Sequence, residues 1–298
     1  MITLAKKLIT CSGTTEELEV NGCVEFVSST PMTITPKYTN SGVTLQYSLD
    51  GTSWTPIVSG SATPSANIIY FRGQATGTKS LYTTISSSNA WTFSGATNLE
   101  CNGKLDRLIQ NTLGDDNDIL TVGSWCFARM FYNNTTLITA PALPATTLQV
   151  SCYRDMFNGC ASLTATPELP ATIIASNCYY QMFNGCSKLT VAPALPATIL
   201  ANECYFGMLR YCTKLTTAPE LPAMTLANYC YYRMFYGCTS LKLSTTMTGI
   251  YDTAYRIPTI GTGTTATDTL FEMFTGTGGT FTGTPTISTT YYTENTPV

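Results

Sequence analysis

One interval governs this chain: 26 residues. Cysteines stand at 126, 152, 178, 204 and 230, each 26 after the last. A second set at 160, 186, 212 and 238 follows eight residues behind, with Asn134 in that place in the earliest unit. Met130, Met156, Met182, Met208 and Met234 keep step four residues after the first cysteine, and Phe131, Phe157, Phe183, Leu209 and Phe235 keep step five after it. Leu137, Leu163, Leu189, Leu215 and Leu241 follow, then a proline–leucine–proline series ending at Pro144, Pro170, Pro196 and Pro222. A fixed period between about 20 and 50 residues is the mark of a repeat array. One such unit cannot close a core alone, so equivalent apolar residues must stack into ladders. The expected architecture is therefore a solenoid over residues 126–248, mainly β with short helices.

Within a unit, Cys at 0, Met at 4 and Cys at 8 share one face of a helical turn. The wording CYYQMFNGC thus predicts a short helix, with Gly159, Gly185 and Gly237 near its end and Asn177, Asn202 and Asn228 as N-caps. The following LTVAPALP is extended, and its prolines restrict it to a short strand.

Together, the Met-Phe-x-x-Cys-x-x-Leu core and the Ala-Pro-x-Leu-Pro that follows it resemble the BspA-like class of leucine-rich repeats, with the match running from Cys126 to about Thr248. That resemblance implies a leucine-rich-repeat solenoid of the kind found in bacterial surface adhesins, protozoan surface antigens and proteins encoded by gut bacteriophages. The Tyr-rich CYYxMFxGC wording and the ending TFTGTPTISTTYYTENT look most like the gut Bacteroides and phage versions.

The period is absent from residues 1–98. Short alternating runs there (VEFVSS, MTITPKY, VTLQYSLD, WTPIV, IIYFRG, LYTTIS, AWTFSG) predict an all-β unit, a small sandwich. LQYSLDGTSWTPI reads as a hairpin with Asp50-Gly51 at its turn; it resembles a phrase of carbohydrate-associated β-modules, and Trp54 is read as a packed strand residue. Residues 99–125 are expected to cap the solenoid, their GDDND run being a solvated loop rather than a calcium site. Residues 249–298 hold an irregular repeat and a closing cap: Met273 lies 39 residues after Met234, one period plus thirteen.

Composition closes several routes. The chain has no histidine, which removes the commonest general base and zinc ligand. Net charge is −3 with no basic run, which argues against nucleic acid. No apolar stretch is long enough to span a bilayer, and the first residues lack the apolar core of a secretory signal. Nine of the twelve cysteines recur at ladder positions, where buried free thiols are expected, with some disulfides the lesser alternative and metal disfavoured by the lack of CxxC spacing.

Candidate contact residues lie at the variable outward positions. Tyr180, Phe206 and Tyr232 fall two after the first cysteine, and Tyr132 and Tyr236 six after it. Aromatic rows of this kind either pack between turns or meet a ligand. Thr164, Thr190 and Thr216, with Thr139 and Thr217, form a hydroxyl row, and Glu168 and Glu220 recur two turns apart. Two carboxylates on an open face are expected to be solvated rather than catalytic. The expectation is a non-enzymatic virion protein, a fibre or decoration component without a cofactor. Other virion proteins would hold its N-terminal unit, and its repeats would face a host glycan or protein. A homotrimer fits fibre proteins in general, though nothing in the sequence forms a threefold seam. The alternative is a bacterial cell-surface adhesin.

Overall fold

The computed structural model describes residues 22–84, 86, 89–224, 226–257, 268–287 and 289–298. The protein is mainly β, built from several open sheets, and no α-helix occurs among the described residues. The strands are β1 (Val24–Thr35), β2 (Val43–Ser48), β3 (Thr55–Ile57), β4 (Ala66–Ala75), β5 (Thr92–Ser94), β6 (Leu99–Asn102), β7 (Thr121–Val122), β8 (Leu137–Thr139), β9 (Thr147–Leu148), β10 (Lys242–Ser244), β11 (Thr253–Tyr255), β12 (Gly278–Gly279) and β13 (Tyr291–Thr293). A short 3-10 turn spans Leu105–Leu108.

The expected short helices are not there. CYYQMFNGC and its counterparts form a ribbon of overlapping tight turns, and the reason is a four-residue backbone rhythm. Positive φ recurs at every fourth residue: Ser151, Asp155 and Gly159 in one unit, Asn177, Gln181 and Gly185 in the next. A left-handed residue at each fourth place interrupts the right-handed helix. It also sends alternate amides in different directions. Ser151, Tyr153, Asp155, Phe157 and Gly159 donate to the carbonyls of Ser176, Cys178, Tyr180, Met182 and Asn184 in the next unit, at 2.8–3.0 Å. Between them, Arg154, Met156, Asn158 and Cys160 donate three residues back within their own unit. Both halves of the ribbon's amides are thereby satisfied, which a buried backbone requires. The glycines occupy left-handed positions, as helix C-caps do, but inside a turn ribbon. Asn177 is likewise a left-handed residue of the ribbon (φ 61°), not a cap.

Side chains follow the same rhythm. In the unit at Cys152, residues Cys152, Tyr153, Met156, Phe157 and Cys160 are all buried to 2% exposure or less. Their equivalents stack coil on coil. Phe127, Tyr153, Tyr179, Tyr205 and Tyr231 form one inner ladder with centroids 5.7–6.1 Å apart. Phe131, Phe157 and Phe183 form another at 5.5 Å. The proline-bearing stretch is extended but scarcely paired: Val191 bridges Thr217 and Thr147 bridges Ile173 as single parallel contacts, as the lost donors require.

The sixth coil restores the register after the thirteen-residue insertion. Tyr231 and Phe235 donate to Thr269 and Met273, as their counterparts donate to a first cysteine and a methionine. Phe235 stacks on Phe274 at 5.4 Å. Beyond it, β11, β13, β10 and β12 form a four-stranded sheet, and the tail returns to the stack where Val298 donates to Ala218 and accepts from Glu220.

The six N-terminal strands and β8 of the first repeat form one seven-stranded sheet in the order β3-β2-β4-β1-β6-β8, with β5 on β1. VEFVSS and MTITPKY, read as two strands, are one long strand whose register shifts between Val27 and Met32; its halves then serve different partners, β6 before the shift and β5 after it. LYTTIS contributes no strand among its described residues. Instead Leu81 and Trp91 donate to the carbonyls of Cys126 and Met130, standing where a preceding coil would stand. The Asp50-Gly51 hairpin forms, with β2 and β3 antiparallel and the Asp50 carboxylate accepting from the Thr52 and Ser53 amides. Phe26 and Phe71, edge to face at 5.8 Å, join Trp91 and Phe131, so one apolar cluster runs from the sheet into the stack.

Candidate functional site: the outer face of the turn ribbon

The outward residues of the ribbon fall two, three, six and seven places after each first cysteine. At the second place Tyr180, Phe206 and Tyr232 stack 4.6 Å apart, and Phe271 continues the row at 5.3 Å. Phe271 was hidden from sequence reasoning because the insertion displaces its register; the Met273-Phe274 pair was the signal that could have found it. Arg154 lies 3.9 Å from the Tyr180 centroid. Tyr180, Phe206 and Tyr232 thus turn their faces toward one another, toward Phe271 or toward an arginine, while Phe271, 39% exposed, ends the row. A sugar stacks on faces, so this row is chiefly a packing element.

The remaining predicted residues are dispersed. Tyr132 carries Arg129 over its ring at 5.2 Å. Tyr236 sits edge to face with Tyr211, between Arg210 and Arg233. Thr216 spends its hydroxyl on the Thr190 carbonyl, and Thr164 spends its own on Ile138. Thr190 is exposed beside them, so two of the three hydroxyls are held by backbone. Glu168 and Glu220 are exposed, and Glu220 lies beside the returning tail. The depression of about 310 Å³ lined by Ala254–Ile257, Ile287, Thr289 and Thr290 includes neither carboxylate.

Arginines missed in the sequence organise this face. Arg129 pairs with Asp155 at 3.1 Å, and Arg154 reaches the same carboxylate at 3.7 Å. Arg233 pairs with Glu272 at 2.6 Å. Asp155, Arg233 and Glu272 each stand three places after their unit's start, so the pairs run along the stack.

In the GDDND run, cations from the chain itself meet the acids. Arg107, 4% exposed, donates to the Asp116 and Asn117 carbonyls and to the carboxylates of Asp106 and Asp118, and Lys104 holds Asp118 at 2.9 Å. Burial raises the Asp106 carboxyl above its ordinary range, despite the Ile119 amide and Arg107. Among the described residues no group of three or more acidic or cysteine side chains is arranged to hold a metal ion. Trp54 packs under the Arg72 guanidinium at 4.2 Å.

Ten cysteines are free and buried, and Cys23, ahead of the repeats, is disulfide-bonded. Burial pushes the repeat thiols upward, Cys230 and Cys238 to about 12. These thiols are packing groups, not nucleophiles. No described helix is long and apolar enough to cross a membrane.

Compared with protein-family models, with curated proteins and with solved structures, the chain gives no match.

Proposed function

We propose that the chain is a non-enzymatic recognition protein of a phage particle, a fibre or decoration component whose repeats form a BspA-like leucine-rich-repeat solenoid. In this reading the N-terminal sheet docks on the particle and the turn-ribbon face meets the host surface. The observation that carries it is the coil-by-coil ladder: side chains at fixed spacing stand on a backbone whose outward amides are already paired. Such a face is rigid and extended, which suits binding by lowering the ordering cost. Glu168 and Glu220 both stand exposed to solvent and outside the depression beside β11, the setting of solvated carboxylates. The repeat wording supports the phage assignment through its resemblance to gut phage proteins.

Mass spectrometry of purified virions from a phage whose genome encodes this chain tests the reading. Peptides at structural copy number are expected. Their absence from the particle, with the protein on bacterial cells instead, would replace this reading with the surface adhesin.

A further inference from the structure

The amide bonds from ribbon to ribbon run one way. One, three, five and seven places after each first cysteine, an amide donates to a carbonyl of the next coil: Phe127, Arg129, Phe131 and Asn133 do so in the first coil, and Tyr231, Arg233, Phe235 and Gly237 in the fifth. The carbonyls one, three and five places after the cysteine turn the other way, accepting from amides three residues on in their own coil. Each ribbon therefore shows its successor a row of N–H donors and its predecessor a row of carbonyl acceptors.

In the sixth coil, where Thr269 takes the cysteine's place, the donor row is Glu272, Phe274 and Gly276. One short segment fills it. Thr284 Oγ1 accepts from the Glu272 amide at 2.8 Å, the Gly283 carbonyl from Phe274 at 2.9 Å, and Thr282 Oγ1 from Gly276 at 2.9 Å. Thr282 also donates its hydroxyl to the Phe274 carbonyl at 2.9 Å. The segment is pinned from both sides. The Thr280 and Phe281 amides donate to the Leu243 carbonyl in β10, the Phe281 ring lies 4.6 Å from Tyr291 and 6.3 Å from Phe274, and Pro285 is buried. Beyond it the stack ends: Thr282 and Thr284 are exposed, and a Cβ on Gly283 would meet nothing within 4 Å. At the opposite end the Cys126 and Met130 carbonyls already accept from Leu81 and Trp91.

We infer that residues 280–285 are a stop that keeps a second copy of this chain from joining the donor end of the stack. A row of unfilled backbone groups is a template for a strand of another molecule. The donor row cannot pair with its like in a second copy, since donors would face donors. It needs an edge that offers carbonyls, such as β3, the outermost strand of the seven-stranded sheet, whose Pro56 accepts but cannot donate. Such a contact joins unlike surfaces, does not close on itself and grows. Two hydroxyls and one carbonyl satisfy the row from within, and partners are left the side faces of the stack. The stop would serve a virion part and a surface adhesin alike.

Two full-length variants test it. One replaces Thr280–Pro285 with an equal length of alternating serine and glycine. The other, Thr282→Val with Thr284→Val, removes the two hydroxyl acceptors at nearly constant size. Sedimentation velocity is run over about a hundredfold range of concentration, as mass action requires, and hydrogen exchange reads the amides of Glu272, Phe274 and Gly276. The mass of the unmodified protein is expected to stay constant. In the segment variant it should rise with concentration, with the three amides exchanging freely when dilute and protected as the mass grows. In the valine pair Glu272 and Gly276 should exchange about tenfold faster, the scale of one hydrogen bond, with Phe274 little changed and a weaker rise in mass. Constant mass in a segment variant that keeps its near-ultraviolet circular dichroism would overturn the inference. So would growth of the unmodified protein, or association in which the three amides still exchange freely. If the segment variant does not fold, the valine pair decides: constant mass, or unchanged protection of Glu272 and Gly276, would overturn it.

Discussion

At the scale of single residues, the two cysteine series look alike in sequence and differ in surroundings. Cys160, Cys186, Cys212 and Cys238 each donate through Sγ to a carbonyl one coil back, at 3.0–3.2 Å. Asn134 fills the same place in the first unit and turns its carbonyl oxygen to the Thr136 and Leu137 amides, so polarity is tolerated there. The series at 126, 152, 178, 204 and 230 lies in the wholly buried ladder beside the aromatic rings. Cys186→Ser keeps a donor for Phe157 and should cost under about 1 kcal/mol, whereas Cys178→Ser buries a hydroxyl among apolar neighbours and should cost about 2 kcal/mol. Urea unfolding of the two variants checks this; equal losses would contradict it. Burial of these residues could be read from their recurrence. The difference between the two series could not, because it depends on which carbonyl the neighbouring coil presents.

At the scale of the element, the spacing of four misled for a physical reason. Side chains at 0, 4 and 8 share a face in a helix of 3.6 residues per turn, and they also share one in a ribbon whose rhythm is four. The distinguishing signal was present but weak. Asn-Gly before the second cysteine favours left-handed backbone, yet Arg129, Gln181 and Arg233 hold the same conformation without any such preference; the bonds to the next coil stabilise it. The aromatic row at Tyr180, Phe206 and Tyr232 was legible as a row, but its consumption of its own ring faces required the 4.6 Å stacking. The ladder has a pH signature. Burial raises Cys178, Cys204, Tyr179 and Tyr205 above their ordinary values, and holds Cys230 and Cys238 near 12 rather than near 9. A group of this kind is protonated in the folded state while the unfolded chain ionises. Stability is therefore fully present below about pH 9 and falls as pH rises toward 12, with contributions from every coil. Urea midpoints should be level from neutral pH to about 8 and decline steeply above 9; a level profile through pH 10.5 would show the ladder residues to be accessible.

At the scale of the whole molecule, the period told most. It marked the residues that stack from one unit to the next and the displaced Met273-Phe274 copy that meets Phe235. It was silent on the join to the N-terminal sheet, because Leu81 and Trp91 complete the ladder from outside the period and carry none of its wording. If the repeats form a solenoid as proposed, each 26-residue unit is one interchangeable coil. Its neighbours see it only through repeated hydrogen bonds and stacked side chains, so stability is a sum of units and interfaces. Excision of residues 178–203 places Cys204 where Cys178 stood and restores every inner ladder, Leu209 replacing Phe183. The measurement is the thermal unfolding of that shortened chain, followed by near-ultraviolet circular dichroism. A folded protein with its aromatic signal retained and a cooperative transition at a modestly lower temperature is expected. Loss of the aromatic signal or of the cooperative transition would contradict it.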